Sequence, residues 1–253
     1  MFNPFSLNGK IVLITGASSG IGRQCAIDCS KMGAKVVLVA RNVDRLNETL
    51  SQMDGDGHLV VGQDLTEFDV IPEMVRKIVE KIGPLDGALH CAGISETIPL
   101  KSVDAEKMES FFRSNVLGAV MLTKEVCKLG NVNNDGASIV FFASVMGVVG
   151  ESCKSIYSMT KGALISATRS LAVEYSKKKI RVNCVSPGVI ETPINANQNY
   201  MKDPILREMF ESKHLLGFGH CSDISNACVY LLSDASSWVT GQNFIIDGGY
   251  TVR

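Results

Sequence analysis

The chain has 253 residues, of which 45% are hydrophobic and 20% are charged, enough apolar material for a large buried core. Its 25 basic residues are balanced by 26 acidic ones, and the formal net charge is -1. This balance argues against nucleic acid or an anionic membrane as a partner, because both require a basic surface. We interpret the run Lys177, Lys178 and Lys179 as the solvated end of a helix.

The eight cysteines are scattered and form no C-x-x-C pair, so they predict neither a disulfide framework nor a zinc site. Cys25 and Cys29 lie in a stretch of helical character, where we expect them to pack in the core. The four histidines show no metal-ligand spacing, and we expect no bound metal. No basic start with a following apolar stretch and no run of 18 apolar residues is present, which predicts a cytoplasmic chain with no membrane span.

Apolar runs of strand length alternate with segments of helical length along the chain. The first run is followed by a glycine-rich turn and a helix that ends near Gly33, and the second by a helix over Val43–Met53. Between Phe68 and Ile82, apolar residues repeat at the spacing of one helix face. The predicted strands are Lys10–Thr15, Lys35–Ala40, His58–Gln63, Leu85–His90, Ser138–Ala143, Ile180–Val185 and Asn243–Ile246.

This alternation predicts an α/β fold with a doubly wound, Rossmann-like parallel sheet and helices on both faces. No linker or repeat interrupts it, so residues 1–253 are expected to form a single domain. The segment over residues 191–216 is long and mixed in polarity. It is typical either of a substrate lid or of an extra pair of packing helices.

The first turn has the sequence Thr15-Gly16-Ala17-Ser18-Ser19-Gly20-Ile21-Gly22 and opens a helix directly after a strand. Glycine lets the backbone approach a pyrophosphate closely, and a helix N-terminus offers unpaired N–H groups. The turn therefore predicts a dinucleotide phosphate site. The residues that we assign to it are Gly16, Ser18, Ser19, Gly20, Ile21 and Gly22.

The end of the second strand bears on the choice of dinucleotide. NAD enzymes usually place a carboxylate there to bind the ribose 2′-hydroxyl, but this chain has Ala40-Arg41-Asn42. Arg41 could grip a 2′-phosphate, which favours NADP(H) over NAD(H). Two observations weigh against this: Arg41 could be an ordinary surface residue, and Ser19 stands where a second basic residue would have strengthened the argument.

Tyr157 and Lys161 lie four residues apart, on one face of a predicted helix. A nearby cation favours the phenolate and lowers the pKa of a tyrosine, bringing it closer to the range useful for acid–base catalysis. Ser144 stands at the carboxyl end of a strand, where α/β folds gather their ligands. Together the three residues predict a proton-transfer site.

In this order the motifs resemble those of the short-chain dehydrogenase/reductase family, and the resemblance covers nearly the whole chain. The matching positions are Thr15–Gly22, Asp64-Leu65, Ala92-Gly93, Asn115, Ser144, Tyr157, Lys161, Pro187-Gly188 and the tail from Gly241 to Tyr250.

The resemblance implies a nicotinamide-dependent oxidoreductase that interconverts a ketone and an alcohol. Tyr157 would be the general acid and base, Lys161 would lower the Tyr157 pKa and bind the nicotinamide ribose, and Ser144 would bind the reacting carbonyl. Asn115 would hold a water that links Lys161 to solvent, and Asp64 would contact adenine. Further cofactor contacts are expected at Arg41, Asn42, Leu65, Cys91, Ala92, Gly93, Tyr157, Lys161, Pro187, Gly188, Ile190 and Thr192.

The chain departs from the family pattern after its fourth strand, where His90-Cys91-Ala92-Gly93 replaces the usual Asn-Asn-Ala-Gly. A thiol cannot reproduce the hydrogen bonds of an amide, so the bracing of the central strands is open to question. The segment Gly217-Phe218-Gly219 also lacks the arginine often found there.

The resemblance is strongest to 3-oxoacyl-(acyl-carrier-protein) reductases, which implies a 3-oxoacyl thioester on an acyl-carrier protein as a candidate substrate. A sugar, polyol or other small secondary alcohol is the alternative, and Glu151 and Lys154 would suit its polar groups. A non-catalytic NADP(H) sensor is a remote alternative, because such proteins typically lose the tyrosine or the lysine. The family also implies a homotetramer.

Overall fold

The computed structural model describes residues 3–194 and 202–252, and this part of the chain contains one parallel sheet of seven strands. The strands pair in the order β3-β2-β1-β4-β5-β6-β7. Because the chain order reverses between β1 and β4, the carboxyl ends of these two strands border the crevice in which such folds bind ligands. The bounds are β1 Ile11–Thr15, β2 Lys35–Ala40, β3 Leu59–Gly62, β4 Gly87–His90, β5 Ala137–Phe142, β6 Ile180–Pro187 and β7 Asn243–Ile246.

Helices cover both faces of the sheet, as predicted. Their bounds are α1 Gly20–Lys31, α2 Val43–Leu50, α3 Ile71–Ile82, α4 Ala105–Phe112, α5 Gly118–Val126, α6 Ser155–Tyr175, α7 Pro204–Glu211 and α8 Cys221–Leu232. A π-helical turn over Arg113–Leu117 joins α4 to α5.

The predicted helix over Phe68–Ile82 is wrong in its first turn. A separate 3₁₀ turn occupies Phe68–Val70, and α3 begins only at Ile71, with Pro72 in its first turn. Proline has no N–H and a fixed φ, both of which suit the start of a helix. The predicted strand at Leu85 also starts late, because Leu85 pairs with Val132 in an isolated bridge before β4 begins.

Alternate residues of each strand supply two separate cores. In β1, Leu13 contributes to the core under α3, α5 and α6, whereas Val12 and Ile14 contribute to the core under α1 and α8. This follows from the two-residue side-chain period of a strand whose faces are both covered. Cys25 and Cys29 are fully buried in the second core, which confirms that they are packing residues.

The prediction for the lysine run is confirmed. Lys177, Lys178 and Lys179 are exposed just after α6, at a solvated helix end.

The predicted insertion is described only in part by the structure. Of the residues 191–216, positions 195–201 lie outside the described residues, and α7 falls in the remainder. Within residues 3–194 and 202–252, no helix combines the length and the apolarity that crossing a bilayer would need.

His90 is a buried polar residue at the end of β4, with only 2% of its surface exposed. Its ring stacks on Phe141 with centroids 5.0 Å apart, and its Nε2 lies 2.9 Å from the hydroxyl of Thr123. Because that hydroxyl donates to the carbonyl of Ala119, it must accept the proton of Nε2. The other ring nitrogen is then an unprotonated acceptor, for which the described residues offer no donor. Burial lowers the pKa of His90 to about 3.

This buried histidine should make the fold sensitive to acid. The pKa of His90 in the folded state lies below its value in the unfolded chain. The unfolding free energy is therefore unaffected by this residue above pH ~6.5 and decreases as the pH falls toward ~3. Between about pH 7 and pH 5, wild type should lose about 2 kcal/mol more unfolding free energy than the variant His90→Asn. Urea unfolding at the two pH values measures this. A matched change at the exposed His220 should leave the pH dependence of wild type in place, and an equal loss in wild type and His90→Asn would contradict the prediction.

Candidate active site

A cleft of about 730 Å³ runs along the carboxyl edge of the sheet, from the glycine-rich turn to α6. All the predicted cofactor-binding residues line it, although they come from segments that follow five different strands and from helix α6. Three of the four predicted catalytic residues, Ser144, Tyr157 and Lys161, also line it. Asn115 does not reach the surface of the cleft and lies behind it, 1% exposed.

The glycine-rich turn has the shape that a bound pyrophosphate needs. Gly16 has a φ of 65°, and a Cβ there would lie 2.9 Å from the amide nitrogen of Ala92 on the neighbouring strand's loop. A Cβ on Gly22 would lie 2.4 Å from the carbonyl oxygen of Gly16. Ser19 precedes α1 without capping it by its side chain, so the first amides of the helix stay available to an anion. The cradle therefore fits the phosphates of a dinucleotide.

The end of the cleft next to β2 and β3 carries two arginines. Arg41 is 77% exposed in its side chain, and its guanidinium lies 3.8 Å from the carboxylate of Asp64. Arg45, one helical turn further along, also lines the cleft and was missed by the sequence analysis. Its position is set by Asn42, whose side-chain oxygen accepts from the Arg45 amide and caps α2. Asn42 was predicted to contact the cofactor, and its side-chain oxygen also caps α2, which the sequence analysis did not predict.

Asp64 is fixed by short local bonds at the floor of the same end. Its carboxylate accepts from the amide of Thr66 at 2.9 Å and from the Thr66 hydroxyl at 2.8 Å. Partial burial would raise the pKa of Asp64, but these two bonds and the charge of Arg41 outweigh it, and the pKa is lowered. The residue is therefore a rigid, ionised acceptor at the position where an adenosine is expected.

The three cleft-lining catalytic candidates converge at the other end. Tyr157 and Lys161 lie in the first two turns of α6, and Ser144 follows β5. The Lys161 ammonium lies 5.5 Å from the centroid of the Tyr157 ring and donates to the carbonyl of Phe142 at 2.7 Å. The hydroxyl of Ser144 lies close enough to that of Tyr157 to favour the phenolate through a hydrogen bond. Two hydroxyls thus meet at one point, where both could bind the same carbonyl oxygen.

The pKa of the phenol differs from the sequence-based expectation. Burial raises the pKa of Tyr157 to about 12, and the hydrogen bond from Ser144 opposes this only in part. Burial also lowers the pKa of Lys161 to about 8. The Lys161 ammonium lies near the phenol, yet desolvation dominates the pKa of both groups. The expectation that the cation brings the pKa of the phenol near neutrality is therefore wrong.

Asn115 braces the site from behind. It lies in the π-helical turn between α4 and α5, and such turns are frequent at functional sites. Its amide nitrogen donates to the carbonyl of Ile94 at 3.0 Å and to the hydroxyl of Thr160 at 3.1 Å, while its oxygen accepts from the Ile94 amide at 2.7 Å. Both donors are thus used by the protein, which ties the loop after β4 to α6.

The departure at Cys91 is accommodated by other thiols. Cys91 lines the cleft, and its thiol and that of Cys228 in α8 both influence the pKa of the buried Cys25 in α1. Burial raises the pKa of Cys91 well above its ordinary value, so the group is a neutral thiol. The hydroxyl of Thr15 accepts from the amide of Ala92 at 3.1 Å and joins β1 to the loop after β4. The threonine therefore links the two central strands, and Cys91 faces thiols of the covering helices.

Distant segments complete the substrate end of the cleft. Tyr250 donates to the carboxylate of Glu151 at 3.3 Å, and Lys213 pairs with the same carboxylate at 3.3 Å. His214 accepts from the amide of Val189 at 3.2 Å and so joins the late insertion to the loop after β6. The sequence analysis did not assign Lys213, His214 or Tyr250 to the site, although Tyr250 ends the tail that resembles the family. Each is brought in from the last fifth of the chain.

Comparisons with known proteins agree with this geometry. The family described as enoyl-(acyl carrier protein) reductase matches residues 16–251. The chain is 33% identical to a glucose 1-dehydrogenase of Gluconobacter oxydans, over 96% of this chain and 92% of that protein. It is also 33% identical to a 3-oxoacyl-(acyl-carrier-protein) reductase of Bos taurus, over 95% of this chain and 97% of the relative.

Solved structures are similar over the full length. A protein described as a short-chain alcohol dehydrogenase of Sinorhizobium meliloti superposes with a TM-score of 0.93 at 30% identity, covering 99% of both chains. One described as a 2-deoxy-D-gluconate 3-dehydrogenase of Agrobacterium tumefaciens, with bound NADP, superposes with a TM-score of 0.90 at 27% identity, covering 100% of both. The chain therefore belongs to the short-chain dehydrogenase/reductase family of NAD(P)-dependent oxidoreductases that interconvert carbonyls and alcohols.

Proposed function

We propose that this enzyme uses NADP(H) to reduce a ketone to a secondary alcohol, or to catalyse the reverse reaction, with Tyr157 as the proton-transfer residue. One observation carries the proposal. The hydroxyls of Tyr157 and Ser144 meet beside the buried ammonium of Lys161, in the same cleft as the phosphate-binding turn. A carbonyl oxygen bound by both hydroxyls would receive its proton from Tyr157.

The bound dinucleotide would supply the hydride, and the residues of the chain position the groups and move the proton. At neutral pH the raised pKa keeps Tyr157 protonated, which is the state required to give a proton to a carbonyl oxygen. Ser144 would hold that oxygen by a second hydrogen bond. The positive charge of Lys161 would stabilise the phenolate that remains after the transfer.

The choice of NADP(H) rests on the arginines at the far end of the cleft. Arg41 and Arg45 both line the region expected to hold the adenosine ribose, and the segment after β2 places no carboxylate there. A 2′-phosphate needs cationic donors of this kind, whereas a free 2′-hydroxyl needs an acceptor. The NADP bound to the 2-deoxy-D-gluconate 3-dehydrogenase-like structure is consistent with this choice.

The substrate is one of two classes. Likeness to a 3-oxoacyl-(acyl-carrier-protein) reductase makes a 3-oxoacyl thioester, delivered by an acyl-carrier protein, one candidate. The charged groups of Glu151 and Lys154, which line the cleft with Tyr157, favour the second candidate, a small polar carbonyl compound or sugar. A non-catalytic NADP(H) sensor remains as the rival to both. Such a protein would have no use for three convergent proton-transfer groups.

We further propose that the enzyme assembles as a homotetramer in the cytoplasm. Exposed apolar side chains, including Val173 at 77% and Trp238 at 99%, offer surfaces that a second copy would cover. All eight cysteines are free thiols, as expected in a reducing compartment.

The variant Tyr157→Phe should lower turnover strongly while leaving NADPH binding intact. Loss of the proton donor should lower kcat by about 100- to 10,000-fold. NADPH binding, followed by its fluorescence, should stay within about threefold of wild type, because the ring itself remains. Tyr175→Phe, at the far end of the same helix, is the matched control. Turnover of a ketone panel by Tyr157→Phe at the wild-type rate would refute the role, and no turnover by wild type would favour the sensor.

The variant Arg41→Asp should reverse the choice of dinucleotide. A carboxylate would repel a 2′-phosphate and accept from a free 2′-hydroxyl, so KM for NADPH should rise about tenfold or more while KM for NADH falls. Steady-state kinetics with both dinucleotides measures the change, and the exposed Arg76→Asp is the control. If Arg41→Asp and the double variant with Arg45→Ala both keep the wild-type preference, the cofactor assignment fails.

In solution the protein should have four times the mass of one chain, which is 27.3 kDa. Light scattering after size exclusion measures this mass. Replacing the exposed Val173 with Glu should disrupt the assembly, since a charge would then be buried at the interface. A monomer as wild type would contradict the proposed assembly.

A further inference from the structure

The substrate end of the cleft contains an ammonium group that the proposed proton transfer does not use. Lys154 immediately precedes α6, three residues before Tyr157, and lines the cleft. Its Nζ lies 5.9 Å from the centroid of the Tyr157 ring and donates to the backbone carbonyl of Glu96 at 3.2 Å. Burial lowers the pKa of Lys154, which indicates that its charge is incompletely solvated.

The carboxylates near Lys154 are already engaged by other lysines. Glu96 pairs with Lys107 at 2.8 Å. Glu151 pairs with Lys213 and also accepts from the Tyr250 hydroxyl. Among the residues that the structure describes, Lys154 has no carboxylate within 4.0 Å of its Nζ. The side chain thus brings to the cleft a positive charge that forms no direct ion pair, although the charge of Glu151 acts on it at longer range.

The backbone fixes Lys154 in this place. The preceding residue, Cys153, has a φ of 62°, a left-handed conformation that is unfavourable for a side chain other than glycine. Its carbonyl accepts from the amide of Ile98 at 2.8 Å, which ties this turn to the loop after β4. The amide of Lys154 in turn donates to the carbonyl of Glu151 at 3.3 Å. A strained turn held by long-range bonds is typical of a functional position rather than of a solvated loop.

We infer that Lys154 binds a carboxylate of the substrate, so that the enzyme acts on a short oxo acid and its hydroxy acid in preference to neutral ketones. The inference rests on the proposed function and names the substrate class of the same site. In the reduction, the carbonyl carbon gains the hydride supplied by NADPH, the oxygen gains the proton of Tyr157, and the carboxylate is unchanged. A single ammonium matches the charge of one carboxylate, whereas a phosphate dianion is usually held by several donors.

This contact would also orient the substrate. With its carbonyl oxygen on Tyr157 and Ser144 and its carboxylate on Lys154, a short oxo acid is held at two points on one side of the cleft. A neutral analogue would leave the partly desolvated ammonium with the Glu96 carbonyl but without an anionic partner, and loss of such a partner lowers the affinity for the analogue.

The test compares an oxo acid with its neutral ester in each variant. Acetoacetate is paired with methyl acetoacetate, levulinate is paired with methyl levulinate, and the readout is the ratio of kcat/KM for acid over ester with NADPH. Wild type should favour the acids, and Lys154→Met should lower the ratio about 10- to 100-fold, mainly through KM for the acids. Lys154→Arg should retain most of the ratio, because a cation remains. The exposed Lys81→Met controls for loss of one positive charge and should behave as wild type.

A second readout does not depend on turnover. Pentanoate, an unreactive carboxylate, should raise the Tm of the wild-type NADP⁺ complex more than pentanamide does, and Lys154→Met should remove that difference. An unchanged acid-to-ester ratio in Lys154→Met would overturn the inference. If the rates with acid and ester fall together, Lys154 acts on Tyr157 rather than on the substrate carboxylate. If wild type reduces none of the four compounds, the proposed function fails on these substrates. The melting difference with pentanoate then decides the anion site alone.

Discussion

The arrangement of the site depends on holding a charged lysine inside the fold. Lys161 is 5% exposed, and its ammonium is fixed by the carbonyl of Phe142 at the end of β5. A buried cation destabilises the folded protein unless it is well bonded, and its pKa of about 8 reflects that cost. This cost is offset because α6 packs along β5 and β6 and contributes buried apolar side chains to the core that it shares with α3 and α5.

The same burial explains why the phenol behaves differently from the simple pair seen in the sequence. A lysine one helical turn away suggests that the pKa of the tyrosine is lowered. Both side chains are buried, however, and desolvation disfavours the phenolate of Tyr157 and the ammonium of Lys161 alike. A phenol with a pKa near 12 is fully protonated at neutral pH but is a weak proton donor, and its phenolate form is scarce. The site therefore holds the proton that reduction of a carbonyl needs, and proton transfer in either direction would need the phenolate to be stabilised further.

The fold could be predicted from the sequence because each strand and helix corresponds to a pattern of neighbouring residues. All seven strands were located to within two residues at each end, since strands covered on both faces appear as continuous apolar runs. The glycine turn and the spacing of Tyr157 and Lys161 are local too, and both line the cleft. Contacts between distant segments could not be predicted. The Glu151–Lys213 pair joins residues 62 positions apart in the sequence. The hydrogen bonds of Asn115 depend on a π-helical turn, which the spacing of apolar residues does not predict.

Positive charge is distributed along the cleft in a way that the net charge of -1 conceals. At the β2 end, the Asp64 carboxylate accepts from Thr66 and lies 3.8 Å from the Arg41 guanidinium, while Arg45 also lines the cleft. At the α6 end, Glu151 pairs with Lys213, and Lys154 forms no ion pair within 4.0 Å among the described residues. Basic groups therefore border the cleft at both ends. Because a cleft with low-dielectric walls focuses such charges, it should attract anionic ligands even on a nearly neutral protein. Under the proposed function, the two ends would accommodate different anions: a 2′-phosphate beside two arginines, and a substrate carboxylate beside a single ammonium.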